Sequence, residues 1–296
     1  MHINFYINKL KIKGKTIILL ATLSIAVLPL FCIPFYSHKT NKPQNPPEGI
    51  KLPIVMYHLI LKNPGVRNRF IVSVDTFEED LKYIKANGYT TILVKDLIDY
   101  TENKKELPKK PIILTFDDGA YNNYLYAFPL AKKYEAKFIF SPISKKIDRF
   151  TEVADKNPAY AYADWNQILE MANSKFVEIQ NHTYDMHGNK KPRIGCTKMS
   201  GETENHYKEK LTKDLLTAQK IIKEKINEEP MAFFYPFGAY SESTEEIVKS
   251  LGFKATFTCE SKVNIIKKDP QCLYGLHRFL RPPGVPAANF FEKFRK

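Results

Sequence analysis

The longest unbroken apolar stretch of the chain is residues 16–36, TIILLATLSIAVLPLFCIPFY, which holds no charged side chain. As a helix it would span roughly 30 Å, the thickness of a hydrocarbon core. Residues 1–15 carry Lys9, Lys11, Lys13 and Lys15 and no acid, which by the positive-inside rule sets this end in the cytoplasm. The run is therefore expected to be a transmembrane anchor. Cleavage as a signal peptide would call for small residues beyond it, where Phe31 to Lys39 are mostly bulky, aromatic or charged. Residues 37–50 are polar and rich in proline and read as a tether.

From residue 51 the pattern changes to short apolar runs alternating with segments of helical periodicity. Residues 53–58, 90–94 and 111–116 are strand-like, the last (PIILTF) apolar enough for a strand buried on both faces. Between the first two, Thr76 and Glu79 have the spacing of a capping box, Phe77, Leu81 and Ile84 share a helical face, and Asn87-Gly88 supplies a stop. Helices are expected over 122–134, 165–173, 204–227 and 241–251, with strands over 137–140, 176–180, 231–235 and 254–258. Six or seven strand–helix units in about 240 residues predict an α/β fold in which parallel strands close into a distorted barrel. No internal repeat or second linker appears, so residues 51–296 read as one catalytic domain. Phe290, Phe291 and Phe294 would fasten a last helix to it.

Composition adds one puzzle and removes another. The 296 residues carry 45 Lys and Arg against 32 Asp and Glu, a net charge of +13, which invites a nucleic-acid reading. Residues 1–50, however, hold six lysines and one glutamate, so five of those charges flank the apolar run. The rest lie on a domain expected outside the cell, and no nucleic-acid motif accompanies them. The four cysteines include no CxxC pair, which excludes a zinc knuckle; Cys259 and Cys272 leave a disulfide open, with Cys196 over.

The chemistry collects where strands end. Thr115-Phe116-Asp117-Asp118-Gly119 closes the buried strand, and adjacent carboxylates there are costly unless a cation or a task balances them. An Asp-Gly pair alone would be read as a turn. The next strand runs into Asn181-His182-Thr183-Tyr184-Asp185-Met186-His187, whose two imidazoles can converge after a strand. Asp118, His182 and His187 would supply three ligands to a divalent cation and leave a position for water. Asp117 could then act as base toward that water.

With these motifs the domain resembles the NodB-homology polysaccharide deacetylases, carbohydrate esterase family four. The likeness runs over residues 52–282 and rests on LPIVMYH, NGY at 87–89, TFDDG at 115–119, EIQNHTYDMH at 178–187 and YPFGAY at 235–240. It implies a distorted (β/α) barrel that removes acetyl groups from N-acetylated sugars with a bound divalent cation, zinc first, with cobalt, nickel and iron as other candidates. It also implies Asp117 as catalytic base and Asp118, His182 and His187 as metal ligands. In the same reading a backbone N–H near Phe237 faces the oxyanion and Tyr184 contacts the sugar. His277, in Leu276-His277-Arg278, matches the general acid, although members with the HTY and YPFG motifs often carry Leu-x-Arg, which would make Arg278 the matched residue.

The chain also departs from the family pattern. Phe234 stands where an arginine usually orients the base, so that partner is expected to be missing, and the usual Asp-Trp pair has no match after YPFG. Asp164-Trp165 reads as the cap and packing of its own helix, His58 as a hydrogen-bonded structural histidine or one that lines the site from the first strand, and His206 as solvated. HTY and YPFG resemble exported deacetylases of poly-β-1,6-N-acetylglucosamine, so the expected substrate is an N-acetylglucosamine-containing cell-surface polysaccharide, that polymer or peptidoglycan. The expected protein is a monomer anchored in the cell membrane with its domain extracellular, or secreted if the segment is cleaved. The alternatives are a lectin-like glycan-binding module of the same fold and a deacylase of small cyclic amides.

Overall fold

The computed structural model describes residues 49–65 and 68–294. The basic segment, the apolar run and nearly all of the tether lie outside the described residues. Among those described, no helix is long and apolar enough to cross a membrane.

Seven parallel strands form the frame: β1 (Ile54–Tyr57), β2 (Pro111–Asp118), β3 (Phe138–Pro142), β4 (Val177–Ile179), β5 (Ala232–Phe234), β6 (Ala255–Phe257) and β7 (Phe279–Leu280). They run in the order β7-β1-β2-β3-β4, and β5 pairs with β6. Two narrow seams complete the circuit. Asn181, just beyond β4, bridges to Phe233, and Phe257 bridges to Leu276, just before β7. The predicted distorted barrel is thus present, closed by single bridges rather than by full ladders.

Strand alternation explains the two cores. Ile54, Ile113, Ile139, Phe234 and Phe257 point inward and fill the barrel. Val55, Leu114, Phe116, Phe138 and Phe140 point outward against Phe77 and Leu81 of α1 (Val74–Ala86), among others. Seven of the eight residues of β2 are buried, as a strand covered on both faces requires. Continuing inward from Ile113, Thr115 and then Asp117 fall on the interior face.

The helices expected at 122–134, 165–173, 204–227 and 241–251 are present, the first opening with a π-turn at Asn123–Ala127 before α3 (Phe128–Tyr134). Two short helices were not predicted: α2 (Val94–Thr101) and α4 (Ser144–Val153). The strand expected over 90–94 stops at Thr91, because Asp96 and the distant Glu178 accept the free N–H groups that open α2. The cap of α1 is Ser73, whose hydroxyl accepts the Thr76 N–H, so Thr76 lies inside the helix. Asp164 caps α5 (Trp165–Ala172) and the Trp165 indole donates to Asp148, as read. Phe290, Phe291 and Phe294 are buried against the barrel's outer face. Cys196, Cys259 and Cys272 are all free, which closes the disulfide option among the described cysteines.

Candidate active site

β2 delivers both carboxylates. Asp117 continues the strand's inward alternation and is buried, whereas Asp118 adopts φ +71° and turns out of register. Gly119 follows at φ +94°, where a Cβ would come within 2.9 Å of Pro142 and Ile147. Only glycine fits that turn. Adjacent residues thereby face one cleft, which a regular strand would forbid.

The Asp117 Oδ1 accepts from Ser141 Oγ at 3.0 Å and from Arg278 Nη1 at 2.7 Å. Arg278 is fully buried inside the barrel, donating also to Thr115 Oγ1 and to the Thr258 carbonyl. Its guanidinium lies 4.9 Å from the ring of Phe234, which in turn stacks on Phe257 at 4.2 Å. The expected loss of a base-orienting arginine is therefore corrected. The cation is present but enters from the segment before β7, and Phe234 becomes the floor beneath it. Burial alone would raise the Asp117 pKa, but Arg278, with His182 and His58, draws it down to about 2. Asp117 is an ionised carboxylate with its second oxygen left to the cleft.

His182 follows β4 and is buried. Its Nδ1 lies 2.8 Å from the Phe234 carbonyl, so the N–H belongs on Nδ1 and the lone pair on Nε2. Both imidazoles converge on Asp118. Its Oδ1 stands 3.4 Å from His182 Nε2 and 3.1 Å from His187 Nε2, and the two nitrogens are 3.1 Å apart. Tetrahedral bonds of roughly 2.0–2.2 Å would separate ligand atoms by about 3.3–3.6 Å, and the donor atoms here need to part by only a few tenths of an ångström to admit a cation such as zinc. Among the described residues these three form the group whose ligand atoms gather closely enough to hold a metal ion. Burial opposes ionisation of Asp118, yet the two imidazoles of His182 and His187 beside it hold it well below the usual carboxylate range.

A cleft of about 620 Å³ opens over Asp117, Asp118, His182 and His187, a size suited to small-molecule and sugar ligands. Its walls include Tyr160, Tyr162, Phe70 and Phe237. Phe237 holds φ +59° and sets its ring 4.5 Å from that of His187. Tyr160 is 59% exposed on a loop fastened by backbone bonds to the turn after the carboxylates, Tyr121 N–H to Ala161 and Ala163 N–H to Gly119. Neither Tyr160 nor Tyr162 carried a signal in the sequence, since only this long-range pairing brings them over the site.

Of the two readings of His58, the structure favours the site-lining one. It lines the cleft at the end of β1, and its buried Nδ1 has no hydrogen-bond partner, so it is not a satisfied structural histidine. Burial lowers its pKa against the pull of Asp117 and Asp118. His277, in contrast, is absent from the cleft's lining and has its Nδ1 3.5 Å from Glu260. Arg278 points inward there, so alternation turns its neighbour away. Tyr184 is also absent from the cleft and lines a neighbouring hollow. The structure thus brings together Asp117, Asp118, His182, His187 and Phe237, and leaves His277 and Tyr184 apart from them.

An α/β barrel with an Asp-Asp pair and two histidines at its strand ends defines a class. Residues 104–256 match the model of the polysaccharide deacetylase family, and the chain belongs to it. Among its relatives is a poly-β-1,6-N-acetyl-D-glucosamine N-deacetylase of Escherichia coli O157:H7, 26% identical over 223 residues that cover 68% of this chain. The chain spans about a third (33%) of that relative's length. An enzyme of the same description from Staphylococcus aureus (strain MRSA252) is 22% identical over 84% of this chain and 88% of its own. The fold is shared with a de-N-acetylase from Aggregatibacter actinomycetemcomitans, with a TM-score of 0.71, 23% identity and coverage of 82% of this chain and 99% of that one.

Proposed function

We propose that this cleft hydrolyses N-acetyl groups on an N-acetylglucosamine-containing polysaccharide, poly-β-1,6-N-acetylglucosamine ahead of peptidoglycan, with the aid of a divalent cation, zinc first. The observation that carries the reading is the convergence of Asp118, His182 and His187 beside Asp117, a carboxylate kept ionised by the buried Arg278. A binding module of the same fold has no use for a charged base held next to a three-ligand cation site. The names of the relatives support the choice of polymer.

Asp118, His182 and His187 would hold a cation that would polarise an acetyl carbonyl and acidify water. Asp117 accepts the proton of the attacking water at the oxygen that Arg278 and Ser141 leave free. His58 replaces His277 as the group that protonates the leaving amine. Burial keeps its imidazole neutral at rest, so the proton it delivers to the amine is the one Asp117 has taken from the attacking water. Tyr160 and Phe237 form the walls against which a pyranose ring can lie. The uncharged run at 16–36 supports a place on a tether at the outer face of the cell membrane.

The test is acetate release from poly-β-1,6-N-acetylglucosamine oligomers and from peptidoglycan fragments, before and after chelation and with zinc restored. Zinc-dependent acetate release from the first and little from the second is expected. Glycan binding without acetate release under any metal would favour the lectin-like alternative.

A further inference from the structure

Most of the backbone polar groups of the four residues between the two histidines have identified partners. The Thr183 N–H donates to Asn181 Oδ1 at 2.8 Å. The Tyr184 N–H donates to Asp214 Oδ1 and the Asp185 N–H to Asp214 Oδ2, both at 2.9 Å. On the carbonyl side, the Ser144 and Lys145 N–H groups that open α4 donate to Thr183 and Tyr184 at 3.1 Å each. The loop is thus gripped between the start of α4 and one carboxylate on α6 (Glu204–Ile226), 30 residues along the chain.

That grip holds an unfavourable conformation. Thr183 sits at φ +77°, which a β-branched residue keeps only where its surroundings over-determine it. Asp214 is itself fixed, because Leu211, Leu215 and Ala218 bury the helix face beside it. Both of its hydrogen bonds in the structure go to backbone N–H groups of this loop. A carboxylate spent on consecutive amides between two converging imidazoles controls their spacing rather than the stability of a surface turn.

We propose that Asp214 is a positioning residue for the cation site, its carboxylate fixing the separation of His182 and His187 and so the affinity for a divalent cation. This rests on the reading that Asp118, His182 and His187 hold the cation. Partners hydrogen-bonded to metal ligands themselves change affinity by roughly 10–100-fold when removed, and Asp214 acts one step back, through the backbone that carries the two imidazoles.

The experiment is competition titration of the metal-stripped full chain with Zn²⁺, alongside the visible spectrum of the Co²⁺ form. Asp214→Ala should weaken Zn²⁺ binding by about 10–100-fold and alter the Co²⁺ bands. Asp214→Asn, which keeps one acceptor, should fall between it and the wild type. Thr203→Ala removes the N-cap of the same helix and should lower Tm while leaving Zn²⁺ affinity unchanged. Wild-type affinity in Asp214→Ala overturns the proposal, as does an equal loss in Thr203→Ala. If Asp214→Ala does not fold, unchanged affinity in Asp214→Asn overturns it. A wild-type chain that binds no Zn²⁺ removes the cation-site reading itself, and the proposal with it.

Discussion

Arg278 and Arg281 lie three residues apart around β7, are both fully buried, and each meets one aspartate. An odd spacing on a strand sends them to opposite faces. Arg281 points outward to Asp80 on α1, with Nε to Oδ2 at 2.8 Å and Nη2 to Oδ1 at 2.9 Å, and Tyr57 donates to Oδ2 as well. Both oxygens of Asp80 are consumed. Arg278 points inward and meets Asp117 through Oδ1 alone. The same pair of residue types thus does two jobs. Closed, bidentate bonding on the outer face locks helix to sheet, while one-sided bonding on the inner face leaves a charged oxygen for chemistry.

Substitution should separate the two pairs cleanly. Asp117→Asn should lower the deacetylation rate by at least about 10²-fold, the scale of a lost general base, with circular dichroism and Tm close to wild type. Comparable activity in that variant would show that the inner pair is as structural as the outer. Asp80→Asn should do the reverse. Leaving Arg281 buried without its counter-charge costs about 3–5 kcal/mol, measurable by urea unfolding, while the activity of the molecules that remain folded persists.

A third pair places the comparison on a pH axis. Glu202 is buried against Arg193 at 2.6 Å and His206 at 2.9 Å. Burial would raise its pKa, but the Met199 N–H, Arg193 and His206 bring it from 4.5 down to about 2. A depressed carboxylate stabilises the fold above its unfolded pKa, and that contribution disappears as pH falls through the folded value. Glu202→Gln should therefore cost about 1–3 kcal/mol at neutral pH, with the gap to wild type shrinking as pH is lowered from 4.5 toward 2. A gap independent of pH would assign the effect to packing instead of charge.

Much of this architecture was legible in the sequence because it is local. The apolar run at 111–116, the Asn87-Gly88 stop and the face of Leu211, Leu215, Ala218, Ile222 and Ile226 each depend on neighbours in the chain. The candidate cation ligands were legible for a related reason, since Asp118 and the histidines lie in the segments directly after predicted strands. What escaped depends on distant partners. Arg278 reaches Asp117 across 161 positions, so its role could only be suggested by motif likeness, and the position held by Phe234 implied that no such partner existed. α2 opens on a carboxylate 84 residues away. For His58 the sequence left a structural and a site-lining reading open, and only its place in the cleft separates them.

The narrow closure of the barrel bears on the order in which the protein fails under stress. His182 follows the bridge between Asn181 and Phe233, and Arg278 follows the bridge between Phe257 and Leu276. Regions held by few pairings open at lower free energy than the ladders of a central sheet. Warming or dilute denaturant would part these joints while β2 and its neighbours stay paired, so the two histidines and the arginine would lose their alignment first. Inactivation would then run ahead of unfolding, and a molecule with an intact core could already be silent.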